Sequence, residues 1–182
     1  MKKILILCLL FLTSYLLPLT TAFSKPVESL RGGGRYANDF GPETLNISSY
    51  PKVYQEGYRL TVQHCSKCHA ASRVFNSELI EMEPEELAAL KKAQPDWFKH
   101  PAIRRMDKKF WERHVYRMTM KPKAHPWTMK EAEKIKQFLI YDSQQRKLGS
   151  RAKEWEAHRR RLLSAFKKQF PELYQDRYAG KE

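Results

Sequence analysis

The sequence predicts an all-α fold, and three observations support that prediction. Apolar residues recur at helical spacing in several segments, for example at Trp111, Val115 and Met118. Helix-start signals precede two of the predicted helices, at Pro84-Glu85-Glu86 and at Thr128. No segment shows the alternation of apolar and polar residues that is typical of a strand. With 182 residues, the chain is long enough for one domain with a real core.

Residues 1–22 are predicted to be a signal peptide, because they show the order of regions that export signals share. Two lysines follow Met1, an uncharged apolar run covers residues 4–19, and the small residues Thr20-Thr21-Ala22 precede polar sequence. The apolar run is shorter than the roughly 20 residues of a membrane span. We therefore expect a periplasmic or otherwise exported protein, with an uncleaved N-terminal membrane anchor as the alternative.

Residues 23–50 are expected to be an irregular lead-in, because glycine, proline and serine cluster there. A predicted domain over residues 51–145 follows. Its first helix runs from about Val53 into a pair of cysteines. Its second helix runs from Pro84 to about Ala93, with proline and acidic residues in the first turn.

Two further helices are predicted in the second half of this domain. The third runs from about Asp107 to Met118, and a loop over residues 121–126 follows it. Thr128 caps the fourth helix, because Glu131 three residues later completes a capping box. The apolar stripe of the fourth helix consists of Ala132, Ile135, Leu139 and Ile140.

Residues 146–182 form a separate basic tail, which begins near the break at Gly149-Ser150. Trp155 and Phe166 belong to a set of apolar residues that recur near helical spacing among arginines and lysines. This pattern predicts an added basic amphipathic helix over about 150–169. The helix is expected either to pack on the domain or to dock on an anionic membrane or a larger complex.

The chain is strongly basic, with 34 Lys and Arg residues against 20 Asp and Glu residues and a formal net charge of +14. Such a charge favours an acidic protein partner, an anionic membrane or nucleic acid. Because export argues against nucleic acid, no nucleic-acid partner is expected. Much of the charge is an ordinary solvated surface.

The segment Cys65-Ser66-Lys67-Cys68-His69 is the attachment motif for c-type haem. Two cysteine sulfurs at this spacing reach the two vinyl groups of one porphyrin, and the imidazole of His69 projects to the iron. A zinc site would need further Cys or His ligands at short spacing, and a redox dithiol would need a strand–helix context. The motif therefore predicts one covalently bound haem c on Cys65 and Cys68, with His69 as an axial ligand.

Around this motif, the chain resembles the class I c-type cytochromes, which are small helical electron carriers with a distal methionine. The resemblance covers residues 53–142 and includes three further blocks: Trp111-x-x-x-Val115-x-x-Met118 with Lys121-Pro122, Glu131-Ala132, and Ile135-x-x-Phe138-Leu139. It implies a small cytochrome c-like helical domain around one haem, to which the basic C-terminal helix is added.

The resemblance also implies that Met118 is the sixth iron ligand, with Met120 as the alternative. A thioether ligand raises the reduction potential relative to a second histidine. A histidine ligand in its place would give a low-potential cytochrome, and an empty sixth site would leave the iron open to ligands. The candidate histidines are His100, His114 and His125.

Three further expectations concern the surroundings of the haem. Arg73, four residues after His69, is either a partner for a haem propionate or an ordinary solvated arginine. Many members of the family have a Gly-Pro pair soon after the attachment histidine, but Ala70-Ala71 follows here, so the hydrogen-bond partner of His69 is unassigned. Five aromatic residues are each either a wall of the haem site or ordinary core: Tyr54, Phe75, Trp97, Trp111 and Phe138.

These features predict an exported monohaem cytochrome that carries single electrons between redox partners and is not an enzyme. No acid–base pair or nucleophile constellation stands out in the sequence. Lys67, inside the attachment motif, is expected to help steer a redox partner with an acidic docking surface. The alternatives are a haem-based ligand sensor or peroxidase-like protein, and a haem subunit of a larger respiratory complex.

Overall fold

The all-α prediction is confirmed in the computed structural model, which describes residues 35–93, 95, 109–121 and 127–179. No strand occurs within these ranges, and none of their helices is long and apolar enough to cross a membrane. The predicted signal peptide lies outside the described residues. The α-helices are α1 (Lys52–Cys65), α2 (Ser72–Phe75), α3 (Pro84–Ala93), α4 (Phe110–Thr119), α5 (Met129–Lys147), α6 (Ala152–Gln169) and α7 (Pro171–Arg177).

Helices α1 and α5 form the central pair of the domain, and Gly57 allows their close approach. A Cβ atom on Gly57 would lie 2.5 Å from the carbonyl oxygen of Lys134 and 2.6 Å from the Cβ atom of Phe138. Only a residue without a side chain fits there. The buried side chains of the main core are Tyr50, Leu60, Ala71, Val74, Phe75, Trp111, Val115, Ala132, Ile135, Phe138 and Leu139.

Helix α4 has an N-terminus that is held by a distant carboxylate. Its predicted start at Asp107 lies outside the described residues, and the described helix begins at Phe110. Lys109 precedes it with a φ of 80°. The buried carboxylate of Glu81 accepts a hydrogen bond from the backbone N–H of Trp111 at 2.6 Å. Glu81 therefore satisfies one of the N–H groups that have no partner within the helix.

Helix α5 begins with the predicted capping box. The Thr128 hydroxyl accepts from the Glu131 N–H at 3.2 Å, and the Glu131 carboxylate accepts from the Thr128 N–H at 2.8 Å. The predicted apolar stripe is buried except for Ile140, which is half-buried. The helix continues to Lys147, two residues beyond the predicted end of the domain.

Residues 35–50 have little regular structure apart from a 3₁₀ helix at Ala37–Phe40, and yet this part of the lead-in is packed against the domain. The fully buried carboxylate of Asp39 accepts two hydrogen bonds from the Arg73 guanidinium, at 2.8 and 2.7 Å. The side-chain amide of Asn38 donates to the Arg73 carbonyl at 3.2 Å. These contacts attach the lead-in to the segment that follows the attachment motif.

The basic tail forms two helices, and its apolar face packs inward. Helix α6 ends at Gln169, and Pro171 occupies the first turn of α7, where its missing N–H costs nothing. Phe166 is fully buried and contacts Phe40, with ring centroids 5.9 Å apart. Trp155 is buried as well. The apolar face of the tail helix therefore packs on the domain, which is the first of the two arrangements left open by the sequence.

A buried polar layer around Arg159 joins α6 to the rest of the fold. The guanidinium donates to the side-chain oxygen of Asn38 and to the Asn76 carbonyl, and it pairs with Glu78 at 3.1 Å. The Arg159 residue is only 1% exposed. Because a buried charge is costly unless it is paired, this layer fixes where the tail sits.

Candidate functional site

The residues of the attachment motif line a cavity of about 480 Å³ near the end of α1, with α4 and α5 supplying other parts of its wall. Ligand and cofactor pockets usually measure about 300–1,000 Å³. The lining residues are His64, Cys65, Cys68, His69, Val74, Trp111, His114, Val115, Met118, Lys121, Trp127 and Leu139. Aliphatic, aromatic and sulfur-containing side chains dominate this set, so the cavity suits a large and mainly apolar cofactor.

Both cysteines line this cavity, one from the end of α1 and one from the turn that follows. The N–H of Cys68 donates to the Cys65 carbonyl at 3.4 Å, which closes the turn. Cys65 is half-buried and Cys68 is exposed. Burial, with a smaller contribution from Cys68, raises the pKa of the Cys65 thiol to about 12. Redox-active dithiols have a lowered pKa instead, so this environment does not favour the dithiol alternative.

His69 is oriented by the carbonyl group of the next residue. Its Nδ1 donates to the Ala70 carbonyl oxygen at 2.9 Å, which leaves Nε2 as the unprotonated nitrogen of a neutral ring. Burial lowers the pKa of His69 in spite of the Ala70 hydrogen bond, and this favours the neutral ring. A neutral imidazole whose other nitrogen is held by a carbonyl is the usual form of a metal-ligating histidine. Ala70 therefore supplies the partner that the sequence left unassigned.

The structure brings Met118, and not Met120, to the motif residues. Met118 lies on the inward face of α4, which also carries Trp111 and Val115, and it lines the cavity. Met120 is the residue after the last turn of α4, and 84% of its surface is exposed. The end of the helix thus separates two methionines that are only two residues apart.

Among the histidines considered as alternative ligands, His114 also lines the cavity. Its Nδ1 accepts a hydrogen bond from the Arg117 guanidinium at 3.3 Å. Burial first, and then the charges of Arg117 and His69, lower the pKa of His114 to about 4. His114 is therefore a neutral imidazole at physiological pH and stays a second candidate for the sixth position. His100 and His125 lie outside the described residues.

Two tryptophan side chains bring hydrogen-bond donors to the cavity wall. The indole Nε1 atoms of Trp111 and Trp127 are buried, and neither has an acceptor among the residues described. Trp111 is 2% exposed. A buried N–H group without a partner costs about 1–3 kcal/mol.

His64 is a cavity residue that the sequence assigned to no role. Its ring lies against Trp127, with centroids 4.8 Å apart, and its Nε2 is 3.6 Å from a carboxylate oxygen of Glu131. Since Glu131 caps α5, this contact ties the end of α1 to the start of α5. Its position directly before Cys65 was the one signal in the sequence that could have identified it.

Arg73, the candidate partner for a propionate, is not among the residues that line the cavity. Its guanidinium forms the two hydrogen bonds to Asp39 described above and lies over the ring of Tyr36, 4.9 Å from its centroid. The Nε–Nη2 edge of this guanidinium is thus already bound within the protein.

The five aromatic residues that the sequence suggested as haem wall or as ordinary core lie in different places. Trp111 lines the cavity, whereas Tyr54, Phe75 and Phe138 belong to the surrounding core. Trp97 lies outside the described residues. Trp127, which the sequence did not single out, supplies a second aromatic wall.

Comparisons with family models, with curated proteins and with solved structures found no match for this chain. Within the described ranges, no group of three or more His, Cys, Asp or Glu side chains is placed to hold a metal ion by itself. The assignment of the site therefore depends on its own residues.

These residues fit a c-type haem. The cavity offers two cysteine sulfurs, a neutral imidazole with its Nε2 available, and a thioether sulfur from Met118. Its mainly apolar wall matches the faces of a porphyrin.

Proposed function

We propose that this protein is an exported monohaem c-type cytochrome that carries one electron at a time between redox partners. The observation that carries the proposal is the cavity that Cys65, Cys68, His69 and Met118 line together. The first three are neighbours in the sequence, but Met118 reaches the same cavity from a different helix. The convergence of a distant methionine on the attachment motif would supply the histidine–methionine ligand pair that raises the reduction potential of a c-type haem.

The chain would hold the haem from both sides. Cys65 and Cys68 would form thioether bonds to the porphyrin, which fix it covalently. Nε2 of His69 and the sulfur of Met118 would bind the iron. When bound, the haem supplies an iron atom that cycles between the ferrous and ferric states.

The remaining wall residues would tune this site rather than take part in bond changes. The apolar side chains of Val74, Val115 and Leu139 would pack against the bound haem, and a neutral thioether ligand favours the ferrous state. No residue has to move a proton for the transfer of an electron.

Replacing Met118 by alanine is expected to lower the reduction potential and to abolish the weak far-red absorption band of methionine-ligated ferric haem. The reason is the loss of a soft, neutral ligand that stabilises ferrous iron. Met120→Ala is the control, since the Met120 side chain is exposed and does not line the cavity. The measurement is a spectroelectrochemical titration of both variants.

Three other results would contradict ligation by Met118. If Met118→Ala leaves the spectrum unchanged while His114→Ala alters it, His114 is the ligand. If Met120→Ala abolishes the far-red band, the exposed methionine is the ligand. A high-spin wild-type spectrum that responds readily to carbon monoxide would favour the ligand sensor or peroxidase-like alternative.

The proposed partner is a redox protein with an acidic docking surface. Lys67 and Lys121 are exposed, and Lys121 also lines the cavity, so both place positive charge near the haem site. Cys68 is exposed as well, which brings one edge of the site to the surface. Charge of this kind steers a transient encounter more than it adds affinity.

Electron transfer to such a partner is expected to slow by about tenfold or more when the ionic strength is raised from about 0.01 M to about 0.5 M. The double variant Lys67→Gln/Lys121→Gln should lose most of this salt dependence. Lys168→Gln, an exposed lysine on α6, is the matched control and should keep it. Stopped-flow rates that do not depend on salt in the wild-type protein would exclude electrostatic steering.

If the protein docks on a membrane or on a larger complex through its tail, the outer surface of the tail makes the contact. Its apolar face is buried in the fold, so the exposed lysines and arginines of α6 are the groups that an anionic membrane or a larger respiratory complex would contact. Export through the signal peptide of residues 1–22 remains part of the proposal.

A further inference from the structure

A second cavity, of about 210 Å³, lies beside α6, the end of α5 and the chain that follows α2. It shares no lining residue with the haem cavity, and the proposed electron transfer assigns it no role. The residues around it are Pro42, Asn76, Arg146, Arg151, Glu154, Trp155, His158 and Arg161. Three of these are arginines, which makes the cavity strongly basic.

The arginines come from two elements that converge. Arg151, Glu154, His158 and Arg161 follow one another at helical spacing along the start of α6, so their side chains share one face. Arg146 reaches the cavity from α5. The fold therefore brings these arginines together from two separate helices.

Arg146 is held rigidly, and one side of its guanidinium remains available. Its Nε and Nη2 donate to the two carboxylate oxygens of Asp142, and Nη2 also donates to the Phe75 carbonyl. Its Nη1 has no acceptor in the part of the chain that the structure describes. The plane of the group lies over Trp155, 5.4 Å from the ring centroid. A guanidinium held in this way is pre-organised to bind an anion.

The other two arginines have no carboxylate to neutralise them. Arg151 and Arg161 form no ion pair with any described residue, whereas their neighbour Arg160 pairs with Glu156. Glu154 is the one carboxylate among the described lining residues. Because Asp142 balances the charge of Arg146, the charges of Arg151 and Arg161 against that of Glu154 leave one positive charge at the cavity.

His158 lines the cavity, and its pKa responds to the positive charge there. Its Nε2 donates to the side-chain oxygen of Asn76 at 2.9 Å. The Asn76 amide group itself donates to the Pro42 and Ser72 carbonyls, which fixes its oxygen towards the histidine. Burial first, and then the charges of the nearby arginines, lower the pKa of His158 to about 4. An anion in the cavity would act in the opposite direction.

We propose that this cavity binds a phosphate group, from either inorganic phosphate or the headgroup of an anionic phospholipid. The guanidinium groups of Arg151 and Arg161 carry planar pairs of N–H donors, which match phosphate oxygens, and Arg146 adds the N–H groups of its Nη1. The cavity volume of about 210 Å³ accommodates a tetrahedral anion. The negative charge of Glu154 repels the anion and lowers the affinity of the cavity for it.

The test is an NMR titration of the His158 ring in purified full-length protein with inorganic phosphate at constant ionic strength. Saturable changes are expected, and bound phosphate should raise the pKa of His158 from its value of about 4. Arg161→Gln and Arg151→Gln should each weaken binding by about tenfold, since each removes one charged hydrogen-bonding group. Glu154→Gln should strengthen binding, because it removes the opposing charge from the lining.

Arg160→Gln is the matched control, since it removes the same charge from the same helix but does not belong to the lining. The lipid arm uses phosphatidylcholine vesicles with and without phosphatidylglycerol. Vesicle binding that needs phosphatidylglycerol and Arg161 but not Arg160, with no response to inorganic phosphate, assigns the lipid headgroup. Equal effects of Arg160→Gln and Arg161→Gln, or no saturable change at His158 with either probe, would overturn the proposal.

Discussion

Replacing Arg159 by methionine is expected to destabilise the folded protein by about 3 kcal/mol. Methionine keeps much of the volume of the side chain but none of its donors. The oxygens of Asn38 and Asn76 would lose a donor, and Glu78 would lose the cation that it pairs with. Breaking a buried pair usually costs about 3–5 kcal/mol, and the lower end applies because the Glu78 side chain is 17% exposed.

Chemical denaturation monitored by far-UV circular dichroism measures this change. Arg160→Met is the matched control: its side chain is 65% exposed, and surface substitutions usually change stability by less than about 0.5 kcal/mol. Equal stabilities of the two variants would show that the polar layer around Arg159 does not hold the tail in place. Because Arg159 does not line the cavity at the attachment motif, the absorption spectrum of the proposed haem should stay unchanged in the folded variant.

Replacing Gly57 by valine is expected to cost about 3 kcal/mol, because α1 and α5 cannot both keep their positions. The new Cβ atom would meet a backbone carbonyl oxygen at 2.5 Å and the Cβ of Phe138 at 2.6 Å, and neither can rotate away. The better helix propensity of valine recovers only a few tenths of a kcal/mol. Separation of the two helices would also disturb the cavity at the attachment motif, since both helices line it.

Gly149→Ala provides a contrast for this prediction, because a Cβ atom there would have no neighbour within 4 Å. Its φ of +58° makes any side chain strained, at a cost of about 1–2 kcal/mol. Thermal or denaturant unfolding of both variants compares the two effects. If Gly57→Val is no less stable than Gly149→Ala, the close approach of α1 and α5 is not a tight constraint on this fold.

The helices and the proximal side of the site could be predicted because their signals are local. The capping box of Thr128 and Glu131 lies within one turn, and the structure confirms both of its hydrogen bonds. The attachment motif is likewise local, and the structure places Cys65, Cys68 and His69 around one cavity. Short-range patterns of this kind need no knowledge of tertiary contacts.

The parts that could not be predicted depend on residues that are far apart in the sequence or on the backbone. The ion pair of Arg73 joins it to Asp39 of the lead-in, which the sequence suggested to be irregular. The partner of His69 is a backbone carbonyl, and composition gives no signal for such a group. The distinction between Met118 and Met120 required the exact end of α4, and helix ends are the least predictable feature of a sequence.

The most direct test of the proposed function is whether the chain carries haem through covalent bonds. The protein is produced with a cytochrome c maturation system, denatured in acidified organic solvent, and analysed by intact mass and by the absorption of the protein fraction. We expect one haem per chain to stay with the wild-type protein and none to stay with Cys65→Ser/Cys68→Ser. Wild-type chains that lose all haem on denaturation, or that never acquire it, would contradict the assignment of this site.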